Sequence, residues 1–233
     1  MKNAVITGAT HGIGKAVAER FLREGWAVAV CARNQTDLLQ LEADWKSKFP
    51  DATNLCVQAD LSKKEEVLSF AGRVLGAMTE IHVLVNNAGL FFPGKLAVEP
   101  EGHLETLMAV NVYSAYHLTR QLLPAVKTTR GHIFNMCSVA SLQAYENGGA
   151  YSITKYALQG FSDNLRQELM SDEVKVTSIL PGATWSRSWS SSGIPEERLM
   201  KAEDVAEMIW AAHSLSARAN VETIVMRPVA GDI

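Results

Sequence analysis

The chain has 233 residues, of which 47% are hydrophobic, and its 22 basic and 25 acidic side chains give a formal net charge of −3. A chain of this length has room for a substantial core and commonly forms one α/β domain. Because the basic residues are scattered rather than clustered, neither nucleic acid nor an anionic membrane is expected as a partner.

Short β-rich stretches alternate with longer amphipathic ones along the chain. About seven strands are predicted, at residues 3–7, 26–31, 54–59, 81–86, 132–137, 174–180 and 222–227. Helices are predicted between them, at residues 13–24, 35–48, 63–78, 101–123, 149–170 and 202–215. This alternation predicts an α/β fold: one Rossmann-type domain over residues 1–233, with a doubly wound, mostly parallel sheet and helices on both faces. Ligands of such sheets bind at the carboxyl ends of the strands, near the switch in strand order.

No targeting or membrane-spanning segment is predicted. The opening MKNAVITGAT is apolar over too few residues for a signal peptide, and no later run approaches the length of a membrane span. We therefore expect a cytoplasmic protein. Cys31, Cys56 and Cys137 lie in or beside apolar strand-like runs, which favours buried reduced thiols over disulfides or metal ligands. The six histidines show no metal-ligand spacing, so no metal site is predicted.

The first strand is followed by a glycine-rich turn. In VITGATHGIG, residues 5–14, Gly8, Gly12 and Gly14 join the strand to the next helix. Glycine lets a ligand approach the main chain, and the N-terminus of the helix offers free N–H groups and partial positive charge to a phosphate. This context favours a dinucleotide-binding site over a simple tight turn, although the spacing is G-x-x-x-G-x-G rather than the commoner G-x-G-x-x-G.

The ends of the second and third strands bear on the choice of dinucleotide. Where an acidic residue would bind the ribose 2′-hydroxyl of NAD, the sequence has Ala32, followed by Arg33. An arginine can pair with a 2′-phosphate, so these residues favour NADP over NAD; the alternative is a solvated arginine at a helix cap. Asp60, after the third strand, could accept a hydrogen bond from the adenine amine or cap the helix that begins near Ser62.

Two further motifs lie later in the chain. LVNNAG, residues 84–89, ends the fourth strand, where its amides could brace the backbone or contact a cofactor. GGAYSITKYALQGF, residues 149–162, places Tyr151 and Lys155 four positions apart, so both lie on one face of the predicted helix. That spacing is common on solvated helix surfaces, and alone it is weak support for catalysis.

Together and in this order, the motifs resemble those of the short-chain dehydrogenase/reductase family, in its compact form with one domain. The resemblance covers essentially the whole chain. It rests on T-G-x-x-x-G-I-G at residues 7–14, N-N-A-G at 86–89, Asn111 in a helix, Ser138 after the fifth strand, Y-x-x-x-K at 151–155 and P-G at 181–182. With Arg33, it implies an NADP(H)-dependent oxidoreductase that moves a hydride between nicotinamide and the carbonyl or alcohol of a small, partly apolar substrate. The cofactor contacts that it implies are Gly8, Thr10, His11, Gly12, Ile13, Gly14, Arg33, Asp60, Leu61, Asn86, Asn87, Ala88, Gly89, Tyr151, Lys155, Pro181, Gly182, Thr184 and Ser186.

The resemblance also implies four catalytic residues. A carbonyl that accepts hydride gathers negative charge on oxygen and needs a proton, which a phenol can supply if a nearby ammonium group stabilises its phenolate. The family accordingly makes Tyr151 the acid/base, with Lys155 lowering its pKa and binding the nicotinamide ribose. Ser138 would hydrogen-bond the substrate carbonyl, or alternatively cap a turn. Asn111 would bend its helix and hold a water that links Lys155 to solvent, the alternative being an ordinary solvated asparagine.

Some positions depart from the family pattern. After Pro181 and Gly182, the family usually has an aliphatic residue and a threonine where this chain has Thr184 and Ser186. The backbone contact at Thr184 and the hydroxyl of Ser186 are expected to remain. His11 stands where NADP-preferring relatives often have lysine or arginine, which weakens the preference for NADP.

The sequence does not specify the substrate. A short loop at residues 185–196 is expected to cover it, and Trp185, Trp189, Phe91 and Phe92 could contact an apolar substrate or pack the loop. Two alternative functions are disfavoured. A non-redox family member, such as an epimerase or dehydratase, would normally need a larger C-terminal region. A dinucleotide-sensing protein would be expected to lose part of the set of Asn, Ser, Tyr and Lys.

The two long predicted helices, 101–123 and 149–170, carry apolar residues on more than one face, which packing on one sheet does not require. The resemblance implies a two-fold packing of these helices between subunits, so a homodimer or homotetramer is predicted. The alternative is that the second face is only the flank of a broad core stripe. The residues concerned are Leu104, Leu107, Met108, Val110, Val112 and Tyr116 on the first helix, and Tyr156, Leu158, Phe161, Leu165 and Leu169 on the second.

Overall fold

Seven parallel strands form one sheet in the computed structural model, which describes residues 1–186, 189 and 193–232. In chain order they are β1 (Asn3–Thr7), β2 (Ala27–Ala32), β3 (Asn54–Gln58), β4 (Val83–Asn86), β5 (His132–Met136), β6 (Lys175–Pro181) and β7 (Thr223–Met226). The helices are α1 (Gly12–Arg23), α2 (Gln35–Lys48), α3 (Lys64–Ala77), α4 (His103–Met108), α5 (Ser114–Thr128), α6 (Gly149–Leu169) and α7 (Ala202–Ser214).

The strands lie in the order β3-β2-β1-β4-β5-β6-β7. The chain builds outward from β1 through β2 to β3, then returns to the other side of β1 and builds outward from β4 to β7. The order therefore reverses between β1 and β4, the kind of switch point at which such sheets bind ligands. The predicted α/β class, with a parallel sheet of about seven strands and helices on both faces, is confirmed.

Side chains of the strands alternate between the two faces of the sheet, as the two-residue period of a strand requires. Burial on both faces holds the strands, and hence their carboxyl ends, in fixed positions. One face packs against α1, α2 and α7 through Ile6, Val17, Phe21, Val28, Val30, Leu38, Val85, Val205 and Ile209. The other packs against α3, α5 and α6 through Val5, Ala29, Val67, Phe70, Leu84, Leu118, Leu122, Ile133 and Leu165.

Element boundaries agree with the sequence predictions to within two residues, except for the helix predicted at 101–123. That segment divides into α4, a π-helical turn at Ala109–Tyr113, and α5. Gly102, with φ of +84°, precedes α4 in the left-handed region that suits glycine. The prediction also ended the helix too early, because α5 continues through Pro124 to Thr128. Pro124 is exposed, so the carbonyl of Arg120, which loses its amide partner, is open to water.

Among the described residues, no helix is long and apolar enough to cross a membrane. The three cysteines are free, and Cys31 and Cys137 are buried. Burial raises the pKa of the Cys31 thiol to about 12, which keeps it protonated and unreactive near neutral pH. Within the same part of the chain, no cluster of three or more His, Cys, Asp or Glu side chains could hold a metal ion.

Candidate active site

The glycine-rich turn between β1 and α1 leaves no room for larger side chains. Gly8 and Gly12 have φ of +65° and +53°, in the left-handed region. A Cβ atom placed on Gly14 would lie 2.3 Å from the carbonyl oxygen of Gly8 and 2.4 Å from Nδ2 of Asn87. Because one of these atoms belongs to the backbone, a side chain at Gly14 would force the whole turn to shift.

The N-terminus of α1 directly follows β1, next to the switch in strand order. His11 occupies the cap position, and among the described residues no side chain accepts a hydrogen bond from the first amides of this helix. The first turn also contains no acidic residue. Free amides, a partial positive charge and a turn that excludes side chains suit the pyrophosphate of a dinucleotide, so this site fits the predicted cofactor.

Thr10, His11 and Ile13 lie half-buried in and beside this turn. The imidazole of His11 reaches across to α2, where Nε2 lies 2.9 Å from Oδ2 of Asp37. Asp37 lies in the first turn of α2 and follows the exposed Arg33 by four positions. The contact between His11 and Asp37 thus connects the glycine-rich turn to the segment that begins at Arg33, where the choice between NAD and NADP is expected to be made.

Arg33 and Asp60 lie close together after β2 and β3. The guanidinium of Arg33 is exposed and forms no ion pair with another described residue. Burial acts to raise the pKa of Asp60, but hydrogen bonds from Ser62, with the charges of Lys63 and Arg33, lower it overall. Oδ1 of Asp60 accepts from both the amide and the hydroxyl of Ser62, at 3.1 and 2.8 Å. Asp60 therefore caps the turn before α3; the helix itself begins at Lys64, and its N-cap residue, Lys63, makes no capping hydrogen bond through its side chain. Leu61 is buried beside Asp60.

The two asparagines at the end of β4 have different surroundings. Asn87 braces the glycine turn: its Nδ2 donates to the carbonyls of Thr7 and Gly8, at 2.8 and 3.0 Å. The Thr7 hydroxyl in turn accepts from the amides of Asn87 and Ala88. Sequence reasoning missed this role of Thr7. Its place as the last residue of β1, beside the glycine turn, was the available signal.

Asn86 points into the protein interior instead. Its Nδ2 donates to Oγ1 of Thr119 and Oδ1 of Asn135, at 2.9 and 2.8 Å. The side chain is buried, so the predicted contact between it and a cofactor has no support in the structure. These two hydrogen bonds link β4 to α5 and to β5.

Asn111 lies in the π-helical turn, a distortion that is frequent at functional sites. Its side chain is buried and clamps the backbone of Leu90, accepting from the amide at 2.7 Å and donating to the carbonyl at 3.0 Å. Nδ2 also donates to Oγ1 of Thr154, at 2.9 Å. Asn111 is therefore not an ordinary solvated asparagine, and Thr154 is a contact that the sequence did not suggest.

Lys155 meets Asn111 beside Gly89. A Cβ atom placed on Gly89 would lie 3.4 Å from Oδ1 of Asn111 and 3.6 Å from Nζ of Lys155. Nζ donates to the carbonyl of Met136 at the end of β5, at 2.8 Å. Burial lowers the pKa of Lys155 to about 8, so the ammonium form still predominates at pH 7.

Tyr151 lies one turn before Lys155 on α6, next to Ser138. Burial raises the pKa of Tyr151 to about 12, against the opposing effect of a hydrogen bond with Ser138. Nζ of Lys155 lies 5.5 Å from the centroid of the Tyr151 ring. Burial is the largest cause of this upward shift, and the predicted lowering of the tyrosine pKa by Lys155 stays a prediction. Oγ of Ser138 also accepts from the amide of Ala140, so Ser138 caps a turn as well as contacting Tyr151.

The segment after β6 returns towards the glycine turn. The amide of Gly182 donates to the carbonyl of Met226 at 2.8 Å, and Thr184 is buried, with its hydroxyl donating to the carbonyl of Gly182 at 3.0 Å. A Cβ atom on Gly12 would lie 3.1 Å from Cβ of Ser186, so Ser186 lies directly against the turn. Of the predicted substrate loop at 185–196, residues 187, 188 and 190–192 lie outside the described residues.

Comparisons with known proteins agree with this geometry. Residues 2–195 match the family described as short chain dehydrogenase. An NADP-dependent 3-hydroxy acid dehydrogenase of Escherichia coli is 32% identical over 243 residues, covering 97% of this chain and 94% of that protein. An alcohol dehydrogenase of Thermococcus sibiricus, solved with 5-hydroxy-NADP, has a TM-score of 0.90 and 29% identity, over 98% of this chain and 97% of that one. Serine dehydrogenase of Escherichia coli has a TM-score of 0.85 and 30% identity, over 99% and 100% of the two chains.

The chain therefore belongs to the short-chain dehydrogenase/reductase family, as its motifs predicted. It is an enzyme of the NAD(P)-dependent oxidoreductase class that this family comprises.

Proposed function

We propose that the enzyme is an NADP(H)-dependent oxidoreductase that transfers a hydride between nicotinamide and the carbonyl or alcohol of a small, partly apolar substrate. The observation that carries this proposal is the meeting of Tyr151, Ser138 and Lys155 at the carboxyl ends of the strands, with Asn111 beside Lys155. The experiment that tests it is an assay of carbonyl compounds with NADPH, followed by the loss of absorbance of the reduced nicotinamide.

The residues proposed to hold the cofactor follow the edge of the sheet. The amides of the glycine turn and of the first turn of α1 bind the pyrophosphate. Arg33 binds the 2′-phosphate, and Lys155 binds the nicotinamide ribose. When bound, the reduced nicotinamide supplies the hydride. The remaining proposed contacts are Thr10, His11, Ile13, Asp60, Leu61, Ala88, Gly89, Pro181, Gly182, Thr184 and Ser186.

The chain's own residues perform the proton chemistry. Tyr151, whose raised pKa keeps it protonated at neutral pH, donates its proton to the carbonyl oxygen of the substrate. Ser138, which lies beside Tyr151, donates to the same oxygen and fixes its position. The ammonium of Lys155 stabilises the phenolate that this transfer leaves behind. In the reverse direction the phenolate removes the proton of the alcohol.

Asn111 positions the residues around Lys155. By fixing the backbone of Leu90 and the hydroxyl of Thr154, it holds the chain after β4 against α6 beside Lys155. The water link between Lys155 and solvent that the family implies for Asn111 stays a prediction.

Arg33→Ala tests the preference for NADP. The exchange should weaken NADPH binding about tenfold or more, since hydrogen bonds to charged groups contribute about 1.5–3 kcal/mol, and should barely alter NADH binding. Titration calorimetry with each cofactor measures both affinities. Arg73→Ala, an exposed arginine on α3, is the matched control and should change neither. Equal losses for NADPH and NADH in Arg33→Ala would instead make Arg33 a support of the loop.

The enzyme is proposed to act as a single-domain homodimer or homotetramer. The first and last parts of the chain pack together, with the rings of Phe21 and Trp210 at 5.3 Å, which supports one domain. The second apolar face of the helices at 103–128 and 149–169 supports the oligomer, since several of its side chains are exposed. They are Leu104, Tyr113, Tyr116, Ile153 and Tyr156.

Light scattering at micromolar concentration should give a mass of at least twice the 25.4 kDa of one chain. Tyr116→Glu places a charge in the proposed interface and should shift the mass towards that of the single chain. Leu39→Glu, an exposed leucine on α2, is the control and should leave the oligomer intact. A wild-type mass of 25.4 kDa would contradict the proposal.

A further inference from the structure

Two surface segments join to form one wall beside Tyr151. We call residues 90–99 and 142–149 the mouth wall. The amide of Gly94 donates to the carbonyl of Asn147 at 3.0 Å, which ties the two segments together. Oε2 of Glu99 accepts from the amide of Ala150 at 3.3 Å, which ties the first segment to the start of α6. The mouth wall is therefore anchored to the helix that carries Tyr151.

Aromatic rings of the mouth wall reach Tyr151 itself. The ring of Phe91 lies edge-on to that of Tyr151, with the centroids 4.9 Å apart. The pKa of Tyr145 is raised to about 12, first by burial and second by the charge that Tyr151 carries when it is ionised. The two phenols therefore lie near each other. Phe91 and Tyr145 are therefore near enough to Tyr151 to contact a group attached to a carbonyl that lies there.

The mouth wall exposes several large apolar side chains. The exposed fractions are 44% for Phe91, 62% for Leu96, 78% for Val98, 50% for Leu142 and 41% for Tyr145. Scattered apolar residues on a surface need no explanation, but several on one wall beside reactive groups are typical of a ligand site. Leu142 directly follows the turn Val139–Ser141 that Ser138 caps.

The charge of the mouth wall opposes an anionic substrate. Lys95 is its only cation, whereas Glu99 and Glu146 are acidic, so the wall has a net charge of −1. Among the residues that the structure describes, no arginine forms a hydrogen bond or ion pair with the wall. A carboxylate that packs against the mouth wall would therefore enter a surface that is mostly apolar and slightly negative.

We propose that the substrate is a neutral carbonyl compound with a bulky apolar or aromatic group, which packs against Phe91, Leu142 and Tyr145. The proposal deepens the carbonyl-reductase function proposed above and rests on it. The carbonyl carbon gains a hydride from NADPH and its oxygen gains the proton of Tyr151, so a ketone becomes a secondary alcohol as NADPH becomes NADP⁺. The site thereby differs from those that the names of the 3-hydroxy acid and serine dehydrogenases indicate.

Three methyl ketones separate these substrate classes: benzylacetone, which is apolar and aromatic; butanone, which lacks the ring; and acetoacetate, which carries a carboxylate. With NADPH and the wild-type enzyme, kcat/KM for benzylacetone should exceed that for each of the others by about tenfold or more, because its phenyl ring removes apolar surface from water on the wall. A preference for acetoacetate would overturn the inference and leave the proposed function intact. If the enzyme reduces none of the three ketones, the proposed function is overturned, and the inference with it.

Variants of the mouth wall test which of its residues cause the preference for benzylacetone over butanone. Phe91→Ala and Leu142→Ala should each lower the ratio of kcat/KM for benzylacetone to that for butanone about fivefold or more, mainly through KM, since each removes apolar contact area. Phe91→Leu, which keeps much of this area, should recover most of the ratio. Leu68→Ala, an exposed leucine on α3, is the matched control and should leave the ratio unchanged. NADPH binding by each variant confirms that it is folded. An unchanged ratio in both folded alanine variants would overturn the inference.

Discussion

Replacing Tyr151 by phenylalanine should lower kcat about a hundredfold or more, because general acid catalysis contributes roughly 10²–10⁴-fold to the rate. The exchange deletes one hydroxyl and retains the ring that packs against Phe91 at 4.9 Å. NADPH affinity should therefore remain close to that of the wild type. Steady-state kinetics on a carbonyl substrate and calorimetric titration of NADPH measure the two effects separately.

Tyr156→Phe is the matched control for this exchange. Tyr156 lies on the same helix and is exposed, and phenylalanine keeps the ring that the proposed subunit interface would bury, so the loss of the hydroxyl should leave kcat within about twofold. If Tyr151→Phe keeps more than about a tenth of the wild-type kcat, the loss of rate is smaller than is usual when a general acid is removed. The assignment of Tyr151 as the proton donor would then be wrong.

Gly14→Ala should abolish high-affinity NADPH binding and lower the melting temperature. The new Cβ would lie 2.3 Å from the carbonyl oxygen of Gly8, so the glycine turn must move away from the N-terminus of α1. Overpacking of this kind typically costs about 1–3 kcal/mol of stability, and the turn that moves is the one proposed to bind pyrophosphate. Calorimetric titration and thermal unfolding with and without NADPH test both parts.

Gly72→Ala provides the control for Gly14→Ala. Gly72 lies in α3, and a Cβ atom there meets nothing within 4 Å. Alanine at this exposed helical position should stabilise the protein by about 0.5–1 kcal/mol and leave NADPH binding unchanged. Wild-type NADPH affinity in Gly14→Ala would show that the turn is not the pyrophosphate site.

Much of the fold could be predicted because each segment has a clear period. The strands are apolar runs buried on both faces, as in β4 and β5, and the helices show the apolar stripe that packs on the sheet. The glycine turn was predictable for a local reason: the free amides at the start of α1 and the crowding at Gly14 both follow from strand, turn and helix in sequence.

Contacts between distant residues could not be predicted from single motifs. Asn86 and Asn87 are adjacent, yet one contacts Thr119 and Asn135 while the other braces Thr7 and Gly8, because successive side chains leave a strand end in different directions. The π-helical turn around Asn111 depends likewise on distant partners, Leu90 and Thr154. The spacing of Tyr151 and Lys155 predicted that the two side chains lie together. It could not predict how deeply they are buried, and burial is the largest cause of the pKa shift of both.

We propose above all that this enzyme moves a hydride from NADPH to a carbonyl carbon. Deuterium transfer tests it most directly. The enzyme is incubated with benzylacetone and, in separate reactions, with each of the two forms of NADPH deuterated at the transferring carbon of the nicotinamide ring. Mass spectrometry should find deuterium on the carbinol carbon of the alcohol from one form only, because a bound ring presents one face to the substrate. Alcohol formed without deuterium from either labelled form would contradict the claim.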